Sequence, residues 1–102
     1  VFFAECNSIV DGSFDAFLTR PVVLDTGGPI IYLGTLTTAS ESGFMLEYAD
    51  VHDTRVGHAT AEVYINEARH NGICPNRRRV FVMRSAVMSV SLLDDVIEDT
   101  AE

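Results

Sequence analysis

Apolar positions along this chain follow two rhythms. A period of two runs through residues 22–49 and again through 79–92, and a helical period interrupts it between them. The stretch "PVVLDTGGPIIYLGTLTTA" predicts two strands around a turn: Val22–Thr26, then Ile30–Ala39 beyond the punctuation of Gly27, Gly28 and Pro29. The second strand is long and rich in β-branched residues, with Gly34 at its middle, where a glycine marks a sharp bend or a bulge. Ser40–Gly43 reads as a tight turn. Phe44–Ala49 reads as a third strand with Phe44, Leu46 and Tyr48 on one face. In "ATAEVYINEARHNG", Ala61, Tyr64, Ile65 and Ala68 fall at i, i+3, i+4 and i+7, the stripe of a helix. Thr60 is placed to cap its start, Asn71-Gly72 to end it, and Pro75 keeps the chain from continuing as helix.

The last strands differ in kind. Arg79–Arg84 has no polar face, with Val80 and Val82 on one side and Phe81 and Met83 on the other. Such a strand is buried twice, and in a small β-domain the second cover is often another subunit. Val87–Leu92 alternates, with Met88, Val90 and Leu92 pointing one way and Ser89 and Ser91 the other. Before the strands, "SFDAFLTRP" predicts a short amphipathic helix at 13–20. Ser13 is its N-cap, Phe14, Phe17 and Leu18 its apolar face, and Pro21 its stop. The tail at 94–102 carries five acids and reads as frayed or as a last turn of helix.

The predicted order is helix, three strands (22–50), helical insertion (51–76), two strands (77–93) and tail. Sheets this short hide their edges by curling into a small barrel, so the expected fold class is all-β, with an N-terminal helix and a helical insertion. A chain of 102 residues makes one such domain.

Composition narrows the function. The formal net charge is −8, which argues against wholesale binding of nucleic acid or an anionic membrane. No apolar run approaches the ~20 residues of a membrane helix, and "VFFAEC" is a poor signal peptide. All seven basic residues are Arg, and four of them lie in "NRRRVFVMRS", residues 76–85. Arg suits bidentate or stacking contacts more than a diffuse basic field. Cys6 and Cys74 match no metal or redox spacing; they read as two buried free thiols in a reducing cytoplasm, with a structural disulfide between them as the alternative.

Order and residues together resemble the Sm/LSm (Hfq-type) family of small β-barrels. The family's first motif has a "V-x-L" strand, a "Y-x-G-x-L" strand and an apolar third strand. In "VVLDTGGPIIYLGTLTTASESGFMLEYADV", Val22, Val23, Leu24, Tyr32, Gly34, Leu36, Leu46 and Ala49 take suitable places. The second motif ends a strand in Arg-Gly before an "I-x-x-I" strand. "RRVFVMRSAVMSVSLL" is similar, with Arg84 in the arginine position and Val87 and Val90 after it. The resemblance implies a strongly bent five-stranded antiparallel barrel behind the N-terminal helix, and edge-to-edge assembly into a ring of about five to seven copies. It also implies single-stranded RNA as a ligand. The family's RNA site uses an Asp and an Asn between the second and third strands, plus the Arg-Gly pair. Here those positions hold Ser40, Gly43 or Phe44, Arg84 and Ser85.

The candidate RNA contacts are therefore Arg84, Ser85, Ser40, Gly43 and Phe44, with Arg77, Arg78 and Arg79 as a phosphate-binding rim. Arg84 reads either as a group that stacks on a base or meets a phosphate, or as half of an ion pair. Arg77–Arg79 read either as that rim or as a solvated strand start paired with acids such as Asp50, Asp53 or the tail. His52, Asp53, His58, His70 and Cys74 form no recognised zinc spacing, and no metal or other cofactor is expected. No motif links a nucleophile to a base, and Asp25-Thr26-Gly27 lacks the second triplet an aspartic protease needs, so no enzyme is expected. The alternative to RNA binding is a structural or protein-interaction ring that has lost its RNA site and meets partners through the helical insertion. In neither case is a membrane or a small-molecule substrate expected.

Overall fold

The computed structural model of the chain describes residues 12–57 and 60–98. Within them five strands form one antiparallel sheet: β1 (Pro21–Asp25), β2 (Ile30–Ala39), β3 (Gly43–Asp53), β4 (Arg77–Met83) and β5 (Ser89–Leu92). Their spatial order is β4-β3-β2-β1-β5. The two edges, β4 and β5, do not pair with each other, so the sheet is open. The one α-helix of the described residues, α1 (Ala61–Asn71), lies between β3 and β4 in the chain. No described helix is long and apolar enough to cross a membrane.

Alternation along the strands divides the core in two. Val22, Leu24, Leu36, Phe44, Leu46, Ala49, Val82 and Leu92 pack together on one face, which we term the inner face. Val23, Ile31 and Leu33 point the other way and are covered by α1 and by the turn Leu93–Asp95. Val22, Val23 and Leu24 are all buried, so β1 is a central strand covered on both faces. The helix meets this second cluster with the stripe its sequence shows: Ala68 is buried, and Ala61, Tyr64 and Ile65 pack beside it. The Thr60 side chain accepts a hydrogen bond from the Val63 N–H (3.2 Å), and Gly72, at φ 93°, ends the helix with its N–H on the Ala68 carbonyl.

Gly34 fixes how β2 and β3 approach each other. A Cβ there would sit 3.1 Å from the Cβ of Ala49 and 3.2 Å from the Cβ of Leu46, inside the inner core. Opposite it the register shifts: Leu33 pairs with Asp50 and Thr35 with Glu47, so two residues of β3 face one of β2. The bulge expected at Gly34 is thus present, carried on the partner strand. Tyr48 takes φ 50° within it and turns outward, 62% exposed, while Ala49 turns in. This reverses the expectation that Tyr48 shares the face of Phe44 and Leu46. The inserted residue resets the alternation.

Other expectations are corrected. Residues 13–20 do not form an α-helix; the segment holds a three-residue 3-10 turn, Asp15–Phe17. Its chain is drawn into the β1–β2 ladder: Thr19 N–H donates to the Leu36 carbonyl (2.7 Å) and Leu36 N–H to that of Arg20 (3.1 Å). Thr19 also stands at φ 64°, outside any right-handed helix. Phe14, Phe17 and Leu18 nevertheless reach the inner core. β4 starts two residues earlier than expected and stops before Arg84, which opens a 3-10 turn, Arg84–Ala86. β5 begins at Ser89, so Met88 lies outside it and is exposed. Cys74 is free but exposed, not buried. Cys6, His58 and residues 99–102 of the tail lie outside the described residues.

Candidate nucleic-acid interface

Two turns distant in sequence meet at one end of the β3–β4 pair. The β2–β3 turn is closed by Ser40. Its N–H donates to the Gly43 carbonyl (2.9 Å), and its Oγ accepts from the N–H groups of Ser42 (3.2 Å) and Gly43 (3.4 Å). Gly43 is required by space: a Cβ would overlap the Val82 carbonyl oxygen and the ring of Phe81.

Arg84 binds the second turn to this one. Its N–H donates to the Ser42 carbonyl (2.9 Å), and its Nη1 donates to the Ser40 carbonyl (2.8 Å). The guanidinium carbon lies 5.4 Å from the ring centre of Phe14 and 5.5 Å from that of Phe44, within cation–π range of both. The two rings meet edge to face, 5.2 Å apart. Phe44 is fully buried, so the ring supports Arg84 from the core and offers no face outward. Arg84 itself is exposed and forms no ion pair among the described residues; its charge is balanced by carbonyl and aromatic dipoles, not by a carboxylate. The intrachain ion pair considered for Arg84 is therefore absent there. Ser85 follows it, exposed in the same turn.

The structure brings Arg84, Ser85, Ser40, Gly43 and Phe44 together and separates them from Arg77, Arg78 and Arg79. Arg79 is five residues upstream, roughly 16 Å at the rise of a strand. Arg79 reaches Glu47 on the adjacent strand (3.6 Å), and Arg77 Nη1 donates to the Asn76 carbonyl (3.0 Å). All three are exposed, and neither Arg77 nor Arg78 has an ion-pair partner among the described residues.

A second polar cluster, which the periodicity did not reveal, lies under α1. The Tyr64 hydroxyl donates to the Asp50 carboxylate, and the ring of His52 stacks on that of Tyr64, 3.7 Å between centres and 12° from parallel. Burial, reinforced by the Asp50 carboxylate, pushes the Tyr64 hydroxyl pKa up. Asn76 was missed as well. Its side chain accepts from Val51 N–H and donates to the Val51 carbonyl, each at 3.0 Å, imitating one more strand residue beside β3. Nothing local marks these contacts, which join residues 14 and 25 positions apart. Among the described residues, His, Cys, Asp and Glu side chains do not converge in a set of three fit for a metal ion. The Asp25 carboxylate accepts from the Gly27 N–H (2.8 Å), so the Asp-Thr-Gly triplet builds the β1–β2 turn.

Chemically, the site offers a planar cation held on two aromatic rings, beside a turn rich in backbone and hydroxyl groups. Such a group can meet a phosphate oxygen or lie against a base. In comparison with known proteins, the chain matches no protein-family model and no curated protein sequence.

Proposed function

We propose that this protein is an Sm-like protomer that assembles edge to edge into a ring, and that the ring binds single-stranded RNA at the turns carrying Arg84. One observation carries the reading: Arg84 and the β2–β3 turn, 44 residues apart at Ser40, are bonded to each other, and the cation between them has no carboxylate partner. These are the two turns at which the Sm/LSm pattern places its RNA site. The strand order, with β4 and β5 as free edges, supports the assembly, because each copy would offer one edge to the next. In this reading the open sheet is the bent small barrel of the family. Ser40, Gly43 and Ser85 border the ligand, and Phe14 and Phe44 hold the guanidinium plane. The reading needs no cofactor and no catalytic residue, and it places the protein in the cytoplasm.

The test is a titration of fluorescent oligo(U), oligo(A) and mixed-sequence RNA at low and moderate salt. Binding tighter than about 100 μM at low salt is expected, where counterion release favours it most. Arg84→Ala should weaken it. No binding at that level removes RNA as the ligand.

A second reading, a scaffold ring that meets protein partners through α1, is favoured by the chemistry of the β2–β3 turn. Ser40 stands at the family's Asp position, and its hydroxyl is engaged inside its own turn. A stable oligomer without RNA affinity is the outcome that selects it.

A further inference from the structure

We propose that Arg77 and Arg78 of one copy clamp Asp94 and Asp95 of the next, and that this charge contact fixes the register of the edge-to-edge assembly. The inference rests on the edge pairing proposed above. It concerns which residues set the pairing.

The two free edges present the same inner face. On β4, Val80 and Val82 pack on the inner core; on β5, Val90 and Leu92 do the same. Residues directly opposite in an antiparallel pair share a face. A joint that keeps the inner face continuous must therefore set Val80 and Val82 against Val90 and Leu92. Only one antiparallel register opposes all four residues of β5 to apolar residues of β4: Val80 with Leu92, Phe81 with Ser91, Val82 with Val90 and Met83 with Ser89. It also gives the outward side chains Phe81 and Met83, 40% and 59% exposed, neighbours across the joint.

That register carries the flanking residues with it. Continuing past Leu92, the chain of the next copy brings its turn Leu93–Asp95 alongside Arg77–Arg79. Asp94 and Asp95 are exposed and have no ion-pair partner among the described residues, and the same holds for Arg77 and Arg78. The basic end of one edge thus meets the acidic end of the other. A parallel joint would bring Asp94 and Asp95 to the Met83 end of β4, beside Arg84, whose guanidinium is already bonded to the Ser40 carbonyl over Phe14 and Phe44, and would leave Arg77 and Arg78 without a complement. Opposite charges that meet across a joint select orientation and register more than they add affinity, and like charges forced together weaken binding strongly. The clamp also gives a chain of net charge −8 a means of self-association, since each joint places its few free arginines on acids.

Sedimentation velocity of the full chain tests this at about 50 mM and about 500 mM salt, where the range of a charge falls from beyond 10 Å toward 4 Å. The wild type should assemble, and less tightly at the higher salt. Arg77→Glu with Arg78→Glu, and separately Asp94→Arg with Asp95→Arg, should each weaken assembly on the order of tenfold or more at low salt. An equimolar mixture of the two double variants should again form species larger than the monomer, because every joint between unlike variants pairs opposite charges; a ring of odd copy number then stays open at one joint. A variant that had failed to fold would not be rescued by mixing. Wild-type assembly with both double variants unchanged overturns the clamp and leaves edge pairing standing. Weakened variants that mixing does not restore overturn it too. A wild type that stays monomeric at tens of micromolar removes the edge pairing and the clamp together.

Discussion

Replacing Gly34 by alanine probes the contact that sets β2 against β3. The added Cβ would lie 3.1 Å from the Ala49 Cβ and 3.2 Å from both the Ala49 Cα and the Leu46 Cβ. Carbon atoms at their best separation stand about 3.5–4.0 Å apart, so three neighbours must give way at once. One of them is backbone, and Leu46 and Ala49 are both fully buried, which leaves little room for relaxation. Overpacking of this kind costs about 1–3 kcal/mol. The substitution also restricts the unfolded chain, which returns about 0.4–1 kcal/mol because Gly34 is not in a left-handed conformation. The steric term wins, and a net loss of about 1–2 kcal/mol follows. The assay is urea unfolding followed by circular dichroism, with the midpoint falling and the slope unchanged. Gly28→Ala is the control: its Cβ would meet only the Thr26 hydroxyl, at an ordinary 3.7 Å. A Gly34→Ala midpoint equal to or above that of the wild type would refute the account of the bulge.

Three further outcomes follow from single contacts. Thr60→Ala removes the acceptor for the Val63 N–H and should destabilise the protein by about 1 kcal/mol in the same unfolding assay, with Thr60→Ser recovering most of it. The Arg55 side-chain and backbone hydrogen bonds hold the Asp53 carboxyl down at about 2 against its ordinary 3.8. A lowered pKa means that the stabilising contact is complete above the unfolded value and is lost as the pH falls through about 2. Carboxyl NMR should therefore show an Asp53 midpoint near 2 that returns toward 3.8 in Arg55→Ala. The Tyr64 hydroxyl is shifted the other way, upward, so its contribution is complete below the unfolded pKa, about 10, and drains away as the pH rises beyond it. Unfolding midpoints at about pH 8 and about pH 10.5 should differ less in Tyr64→Phe than in the wild type.

The parts of the fold legible in the sequence are those where one periodicity governs. The helix stripe Ala61, Tyr64, Ile65 and Ala68, with Thr60 before it and Gly72 after it, specifies α1 because packing, capping and termination agree. β2 was readable for the same reason. Failures occur where a contact from another strand overrides the local pattern. Phe14, Phe17 and Leu18 have helical spacing and are partly buried as a helix face would be, yet the backbone is recruited by Leu36 on β2. Tyr48 obeys alternation in the sequence and breaks it in the structure because Gly34, fourteen positions away, lets β3 take an extra residue. The helix cluster of Tyr64, Asp50 and His52 was invisible, since two of its members belong to a strand whose extent beyond Ala49 the apolar pattern does not mark.

The ten-residue arginine island separates, in space, into two groups with different neighbours. Its sequence density suggested one basic patch, but a strand carries its ends apart. Arg84 goes to a turn, and Arg77–Arg79 stay at the far end of an unpaired edge. The distinction changes what each substitution means. Arg84 is bonded to Ser40 and lies over Phe14 and Phe44, so Arg84→Ala removes a structural tie as well as a charge, and lost RNA affinity in that variant alone would not assign the contact. Arg84→Lys keeps the charge but not the planar fork or the stacking surface. If phosphate attraction alone mattered, lysine would serve nearly as well. If the guanidinium plane must lie against a base, lysine fails while the unfolding midpoint stays near that of the wild type.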